Sequence, residues 1–401
     1  MKRIKFWGLI ISSFILSGIV FSSCSEQAFE NHDTIPIVQK ALYDTTSVYY
    51  SNFGKFPYQN DTLPIGIIEF DTINPMALTL LQLERFNNIT GKEGDDHIPD
   101  FAGEKFQLLQ DLENYPYNDY LDADREDYLR EIVVKNALFL LSDKYYIHSS
   151  DKVAKGVKSP CKIIIVSSPI ASAYGLSDIR QMLRIAKLDV KVLGVIEPTV
   201  RGVYNEIKNS KSDSLTIGIL DTGEGVLFER AISDIKKKAK DVKSFSTLSG
   251  TIKEPLTDSL IRESIVSMID SIESLPTQMP LKCLVLSSWE QALFSSTIIS
   301  VIEELKSHTV NGRKIYAHLI DKDFKLIIPF ECTAKECYNY LRNDNLLAFN
   351  PNDNQIEVFK SVPNYTVDTE YLDSEGFLTS EFKLSREVGK EEETTVIVKE
   401  K

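Results

Sequence analysis

The chain is poor in several residues that would make its chemistry easy to read. Five cysteines in 401 residues are too few for a disulfide scaffold, and no C-x-x-C or H-x-x-x-H pair marks a zinc site. The five histidines (His32, His97, His148, His308 and His318) are scattered, each reading as a core or surface imidazole. Positive charge is also short: 45 Lys plus Arg against 58 Asp plus Glu gives a formal charge of −13. Such a surface repels phosphate backbones, so no nucleic-acid partner is expected. No repeat at solenoid period and no low-complexity tract is present. Apart from Phe6–Phe21 there is no long apolar run, which excludes a polytopic membrane protein. What remains, 43% hydrophobic and 26% charged residues, is enough to bury a core of two-lobed size and rules out a disordered or collagenous chain.

The amino terminus reads as an export signal. Lys2, Arg3 and Lys5 precede the apolar run, and small residues precede Cys24. Phe21-Ser22-Ser23-Cys24 resembles a bacterial lipoprotein cleavage box, with phenylalanine where leucine is usual. That resemblance implies cleavage before Cys24, lipidation of Cys24 and anchoring in the cell envelope, at the outer membrane. An uncleaved anchor is the other reading. Loss of residues 1–23 removes three positive charges and takes the mature chain from −13 to −16. Residues 24–61 read as a polar tether, and 366–401 as a charged carboxyl-terminal tail.

Between them the expectation is an α/β body at 62–365, with two parallel-sheet lobes and an interlobe cleft. Lobe A is expected at about 62–195 plus 310–365, and lobe B at about 196–309. Strands are predicted at Ile65–Ile68, Ile163–Val166, Lys191–Ile196, Thr216–Leu220, Leu284–Leu286 and Lys314–Ile320, all rich in β-branched residues. Helical periodicity separates them, as in Leu129, Ile132, Val133, Ala137, Leu140 and Leu141. Near-continuous apolar strands alternating with helices argue a parallel sheet covered on both faces. Ligands then sit near the carboxyl ends of the strands.

Two strand ends are alike: CKIIIVSS closes on Ser167-Ser168, and KCLVLSS on Ser287-Ser288. A small polar pair at a helix entrance suits an anion such as a carboxylate, or serves as an ordinary serine N-cap; both readings are open. A third strand end opens into Asp221-Thr222-Gly223-Glu224-Gly225, whose glycines permit a tight turn but match no dinucleotide or phosphate-loop fingerprint.

At these residues the sequence resembles the glutamate racemases of the aspartate/glutamate racemase superfamily. The best stretch is VLGVIEPTVRGVYNEIKNSKSDSLTIGILDTGEGV, residues 192–226. Ile164–Ala171, Leu284–Phe294, Asn114–Asn118, Pro64–Leu78 and Ile320-Asp321 fall in family blocks in the right order. The resemblance implies two α/β lobes, a cleft between them, a homodimer and no cofactor. It also implies racemisation by two cysteines on opposite faces of the substrate α-carbon, suited to the task because a thiol can be tuned to ionise near neutrality.

The family cysteines fall on Ser167 and Ser288, and a hydroxyl is a far weaker acid than a thiol. Cys161 and Cys283 lie at the opposite ends of their strands and read as core residues. The family's acidic residue on the first strand falls on Glu69, or on Asp71 followed by Thr72 if shifted; Glu197 of GVIEP is retained, and Glu290 follows Trp289. Tyr117, Asn118, Ser168, Thr222 and Trp289 complete the implied ligand-binding set. Carboxylates without a mapped Arg or Lys are hostile to a dicarboxylate and tolerant of a cation or a neutral group. Cys332 and Cys337 are open to a local disulfide or to two free thiols on a short helix. The expected function is an exported, lipid-anchored, racemase-like protein that is inactive as a racemase and binds a small molecule or cell-wall fragment. The alternatives are an isomerase or hydrolase using Ser167 or Ser288 with a nearby carboxylate, and a purely structural envelope protein.

Overall fold

The β-branched runs need two covered faces, and the tertiary structure provides them twice. The computed structural model describes residues 34–70, 72–238, 243–348, 354–390 and 394–400. The expected export signal, Cys24 and Asp71 lie outside the described residues. Along the chain, α1 (Pro36–Tyr43) and α2 (Val48–Gly54) lead into β1 (Ile65–Glu69), α3 (Pro75–Gln82) and β2 (Lys105–Gln110). Then come α4 (Asn118–Asp122), α5 (Glu126–Leu141), β3 (Ile163–Val166), α6 (Pro169–Tyr174), α7 (Leu176–Ala186) and β4 (Lys191–Gly194). The middle of the chain holds α8 (Ile196–Asn209), β5 (Ser214–Asp221), α9 (Gly225–Lys238), β6 (Ser244–Thr251), α10 (Asp258–Glu273) and β7 (Leu281–Leu286). It closes with α11 (Trp289–Ala292), α12 (Ser295–Ser307), β8 (Ile320–Ile327), α13 (Pro329–Asn343), β9 (Gln355–Pro363), α14 (Ser380–Ser385) and β10 (Thr395–Lys399).

Lobe A is a six-stranded sheet ordered β10-β9-β2-β1-β3-β4, parallel except where β10 pairs antiparallel with β9. Lobe B is a four-stranded parallel sheet ordered β8-β7-β5-β6. Each sheet has an apolar cluster on both faces. In lobe A, α1, α5 and α7 pack on one side and α3 and α13 on the other. In lobe B, α10 and α12 face α8 and α9 across the sheet. The two-lobed parallel α/β architecture expected from the sequence is the one observed.

The chain changes lobe at two places among the described residues. Val195 lies in the lobe A core while Val203 and Ile207 of the same passage lie in that of lobe B. The return comes after β8, because Phe330, Ala334, Cys337, Tyr338 and Leu341 of α13 fill lobe A. Lobe B therefore includes β8, and the expected boundary at 309 is corrected to about 328. The predicted strand Lys314–Ile320 is also displaced. Arg313-Lys314 folds back on Thr309-Val310 over Asn311 (φ 53°) and Gly312 (φ 75°), an Asn-Gly hairpin, so the buried strand starts only at Ile320 and His318 is exposed in a turn. Lys191–Ile196 ends at Gly194, since the next residues open α8 and Pro198 sits in its first turn.

Both expected flanking segments are more structured than composition implied. Ile35, Ile37, Val38, Ala41 and Leu42 place one apolar face of α1 in the lobe A core, with Pro36 pre-set at its first position, so residues 36–54 are not a tether. Near the other end, β10 adds a strand to the lobe A sheet, and Leu378, Lys383 and Arg386 are buried. Alternation such as TVIVK supplies one apolar face that a charged tail does not need.

Candidate functional site

Neighbouring strands β1 and β3 are in register, with Ile68 beside Val166, so Glu69 and Ser167 emerge side by side. Both are fully buried. The Ser167 hydroxyl shares its proton between Ile68 O at 2.8 Å and Glu69 Oε2 at 2.9 Å. Glu69 Oε1 accepts the backbone N–H groups of Met76 and Ala77 at 3.1 Å each. These are two of the donors that the first turn of α3 leaves without intrahelical partners, and Asn74 at the N-cap offers them no side chain. Glu69 is thus a remote helix cap, and Ser167 is tied to it.

The corresponding end of lobe B is built differently. Asp221 Oδ1 accepts from Gly223 N (2.7 Å) and Gly225 N (2.6 Å), closing the DTGEG turn. Gly223 has φ 131°, and a Cβ at Gly225 would meet the Asp221 side chain at 2.6 Å, which is why glycine occupies both positions. Ser287 Oγ accepts from Thr222 N at 3.2 Å and Ser287 N donates to Gln291 Oε1 at 2.8 Å, joining the ends of β5 and β7. Ser288 stands in capping-box orientation with Gln291, yet its Oγ makes no hydrogen bond of normal geometry. Trp289 Nε1 and Gln291 Nε2 are likewise sheltered from water without a partner.

A cavity of about 240 Å³ lies between the two strand ends. Lobe A contributes Phe70, Tyr115, Asn118 and Pro169; lobe B contributes Thr222, Gly223, Glu224, Glu254 and the run Ser287–Glu290. Ile328–Phe330, the return crossing, completes the wall. Two wider depressions of about 610 and 630 Å³ lie on the open outer face of α10, away from both strand ends and lined mostly by short polar side chains. Among the described residues no Lys or Arg lines the interlobe cavity, and no group of three His, Cys, Asp or Glu is placed to hold a metal.

Of the residues expected at the site, Asn118, Thr222, Ser288, Trp289 and Glu290 line the cavity. Glu69 and Ser167 lie behind it, sealed against each other. Ser168 caps α6, accepting from Ala171 N at 3.2 Å. Tyr117 is buried and donates to Asp111 Oδ2 at 2.8 Å; it is Tyr115, stacked on Phe70 at 5.6 Å, that reaches the cleft. Thr72 is exposed beyond β1 and is not among the lining residues. Glu197 is held bidentately by Arg180 at 2.5 and 2.8 Å, away from the cavity. Burial opposes its charge, but the guanidinium prevails and keeps the carboxyl below its ordinary range. Glu197 therefore ties the start of α8 to Arg180 on α7, whose guanidinium also donates to Val192 O of β4.

Two lining carboxylates, Glu224 and Glu254, were not among the expected site residues. Glu224 stands inside the DTGEG turn, so its signal was present; Glu254 follows the polar strand β6, which carries no apolar signature. Burial, then the Glu290 and Asp221 carboxylates, push Glu224 up to about 7. Cys161 and Cys283 are buried at the far ends of their strands, and burial pushes Cys161 up to about 12 and Cys283 higher still. Cys332 and Cys337 are free thiols on α13, so no disulfide joins them.

No family model matches the chain, and no curated protein matches it. The solved structures similar to it include a glutamate racemase isoform from Bacillus anthracis, at 17% identity and TM-score 0.47, covering 75% of this chain and 89% of that one. A glutamate racemase from Francisella tularensis in complex with D-glutamate is 17% identical at TM-score 0.44, covering 74% and 88%. One from Campylobacter jejuni is 13% identical at TM-score 0.42, covering 77% and 94%.

Proposed function

We propose that this chain is an exported, lipid-anchored envelope protein with a glutamate-racemase-like body that binds a small molecule in its interlobe cleft and does not perform two-thiol racemisation. The observation that carries this reading is the fate of the two strand ends. Where paired thiols would flank a substrate, Ser167 is locked to Glu69 and Ser288 offers only a hydroxyl. A carboxylate is too weak a base to hold the Ser167 hydroxyl as an alkoxide near neutrality, Ser288 Oγ is bonded to no base, and each missing acid–base group is worth roughly 10²–10⁴-fold in rate. The thiols of the two strands cannot substitute: Cys161 and Cys283 sit about 17–20 Å back along them, at about 3.3 Å per residue. Ionising them is disfavoured by burial as well.

Ligand binding is supported by the cavity itself, with unpaired polar atoms at its lobe B wall. Its size fits an amino acid or a single sugar unit of a wall fragment, below the roughly 300–1,000 Å³ of ordinary drug-sized pockets. Anchoring is supported by the basic, apolar and small-residue order that ends at Cys24. Among the described residues no helix is long and apolar enough to cross a membrane.

Three measurements test the reading. Solvent deuterium exchange at Cα of glutamate, aspartate and small peptides is expected to be absent, and exchange that Ser167→Ala abolishes would overturn it in favour of a working isomerase. Trp289 becomes the sole tryptophan once Trp7 leaves with the signal, so its fluorescence, titrated with a panel of amino acids and wall sugars, reports the cleft directly. Metabolic labelling with an alkyne fatty acid is expected to mark the wild-type chain and not Cys24→Ala.

A further inference from the structure

The cleft is one-sided in charge and in wall chemistry. Three carboxylates, Glu224, Glu254 and Glu290, line it, and no cationic side chain among the described residues joins them there. Nor is a cation among the groups that set the environment of Glu224; its charged neighbours are Glu290 and Asp221. Asp221, itself an anion, accepts two turn amides at Oδ1 and adds like charge beside Glu224. Opposite stand aromatic faces: Phe70 and Tyr115, stacked at 5.6 Å with 27° between planes, and Trp289 from lobe B. An aromatic face attracts an organic cation within about 6 Å of its centroid, and a carboxylate does so more strongly.

We infer that the cleft binds a small organic cation, a protonated amine, with the ammonium among Glu224, Glu254 and Glu290 and its apolar body against the rings of Phe70, Tyr115, Trp289 and Phe330. This deepens the ligand-binding reading above and rests on it. It reverses the charge preference that a dicarboxylate-binding cleft would have, because a carboxylate ligand would meet only like charge here. The cavity, at about 240 Å³, holds one such molecule and not a polymer segment.

The test uses the mature full chain and three probes, aminopentanol, pentanediol and hydroxypentanoate. They share a five-carbon chain and a terminal hydroxyl, and differ in bearing an ammonium, a second hydroxyl or a carboxylate. At about pH 8, where Glu224 is mostly ionised, aminopentanol is expected to shift Trp289 fluorescence saturably and the other two to leave it unchanged. Glu224→Gln and Glu290→Gln, each checked for native circular dichroism, are expected to weaken aminopentanol about tenfold or more. Hydroxypentanoate binding as tightly as aminopentanol overturns the assignment, as does aminopentanol affinity unmoved in both variants. A saturable response to the diol or the carboxylate alone also overturns it while leaving the cleft a binding site. Silence from all three overturns it as well; ligand binding in general is then judged by the wider panel of amino acids and wall sugars.

Discussion

Both lobes end a buried central strand in Ser-Ser, and the two ends have opposite fates. In lobe A, Ser167 is buried and bonded to Glu69, and Ser168 caps α6, so every hydroxyl is used within the fold. In lobe B, Ser287 is used to tie β5 to β7, but Ser288, Trp289 and Glu224 face a cavity with unpaired atoms or a strained charge. One strand end has become scaffold and the other remains a wall that a ligand would complete. A carboxylate stands in register beside the first serine of each pair, Glu69 beside Ser167 and Asp221 beside Ser287; the outcomes differ because Glu69 accepts the serine hydroxyl, whereas Asp221 Oδ1 turns to the amides of its own loop.

The largest expected effect breaks the lobe A side. Glu69→Ala strips two helix amides and the Ser167 hydroxyl of their acceptor in a dry site, and should cost about 3–5 kcal/mol in chemical denaturation. A loss below about 1 kcal/mol would mean that Glu69 is not the cap described. Ser167→Ala leaves Glu69 Oε2 short of one donor and should cost about 1–3 kcal/mol.

The lobe B side should respond with the opposite sign. An unfolded glutamate titrates near 4.5, and Glu224 in the fold near 7, so the native state holds its proton longer. Its contribution to stability is fully present below the unfolded value and is lost as pH rises through about 7. Glu224→Gln should therefore raise stability by on the order of 1–2 kcal/mol at about pH 8 and leave it unchanged at about pH 4, less than the full shift implies because water reaches part of the carboxylate. Urea midpoints at both pH values check this; equal effects would remove Glu290 and Asp221 as the source. The smallest effect belongs to Ser288→Ala, within about 0.5 kcal/mol, since its Oγ meets the N3 amide only in capping-box orientation and short of normal hydrogen-bond geometry. A cost like that of Ser167→Ala would erase the asymmetry between the lobes.

Much of the parallel core was legible because strands buried on both faces must be apolar throughout: β1, β3, β5 and β7 are runs of Ile, Val and Leu. Strand β2 escaped because Gln107 occupies its buried middle, satisfied by Lys158, by Ser159 O and by Glu357, contacts that no local pattern announces. Strand β6 escaped because it is an edge, where Thr247 and Ser249 bond to Glu229 instead of entering the core. At the site, Trp289 and Glu290 were legible from their place after a strand end. Tyr115 and Tyr117 were not separable, since two residues of one loop differ only in which way the folded turn sends them. Glu197 illustrates the converse: its position in a recognisable motif survived, while its carboxylate went to Arg180.

By itself the sequence determined the two-lobed parallel plan, the acidic balance and the Ser-Ser pairs that close two buried strands. These depend on residue type, periodicity and local order, which the chain carries at every point. Only the tertiary structure decided that Ser167 is bonded to Glu69 while Ser288 stands in the wall of a cavity, that α1 and β10 belong to lobe A, and that three carboxylates and four aromatic residues meet across that cavity. Those facts depend on which groups from distant segments arrive within hydrogen-bonding or contact distance, and burial then turns each meeting into either a satisfied bond or an unmet one.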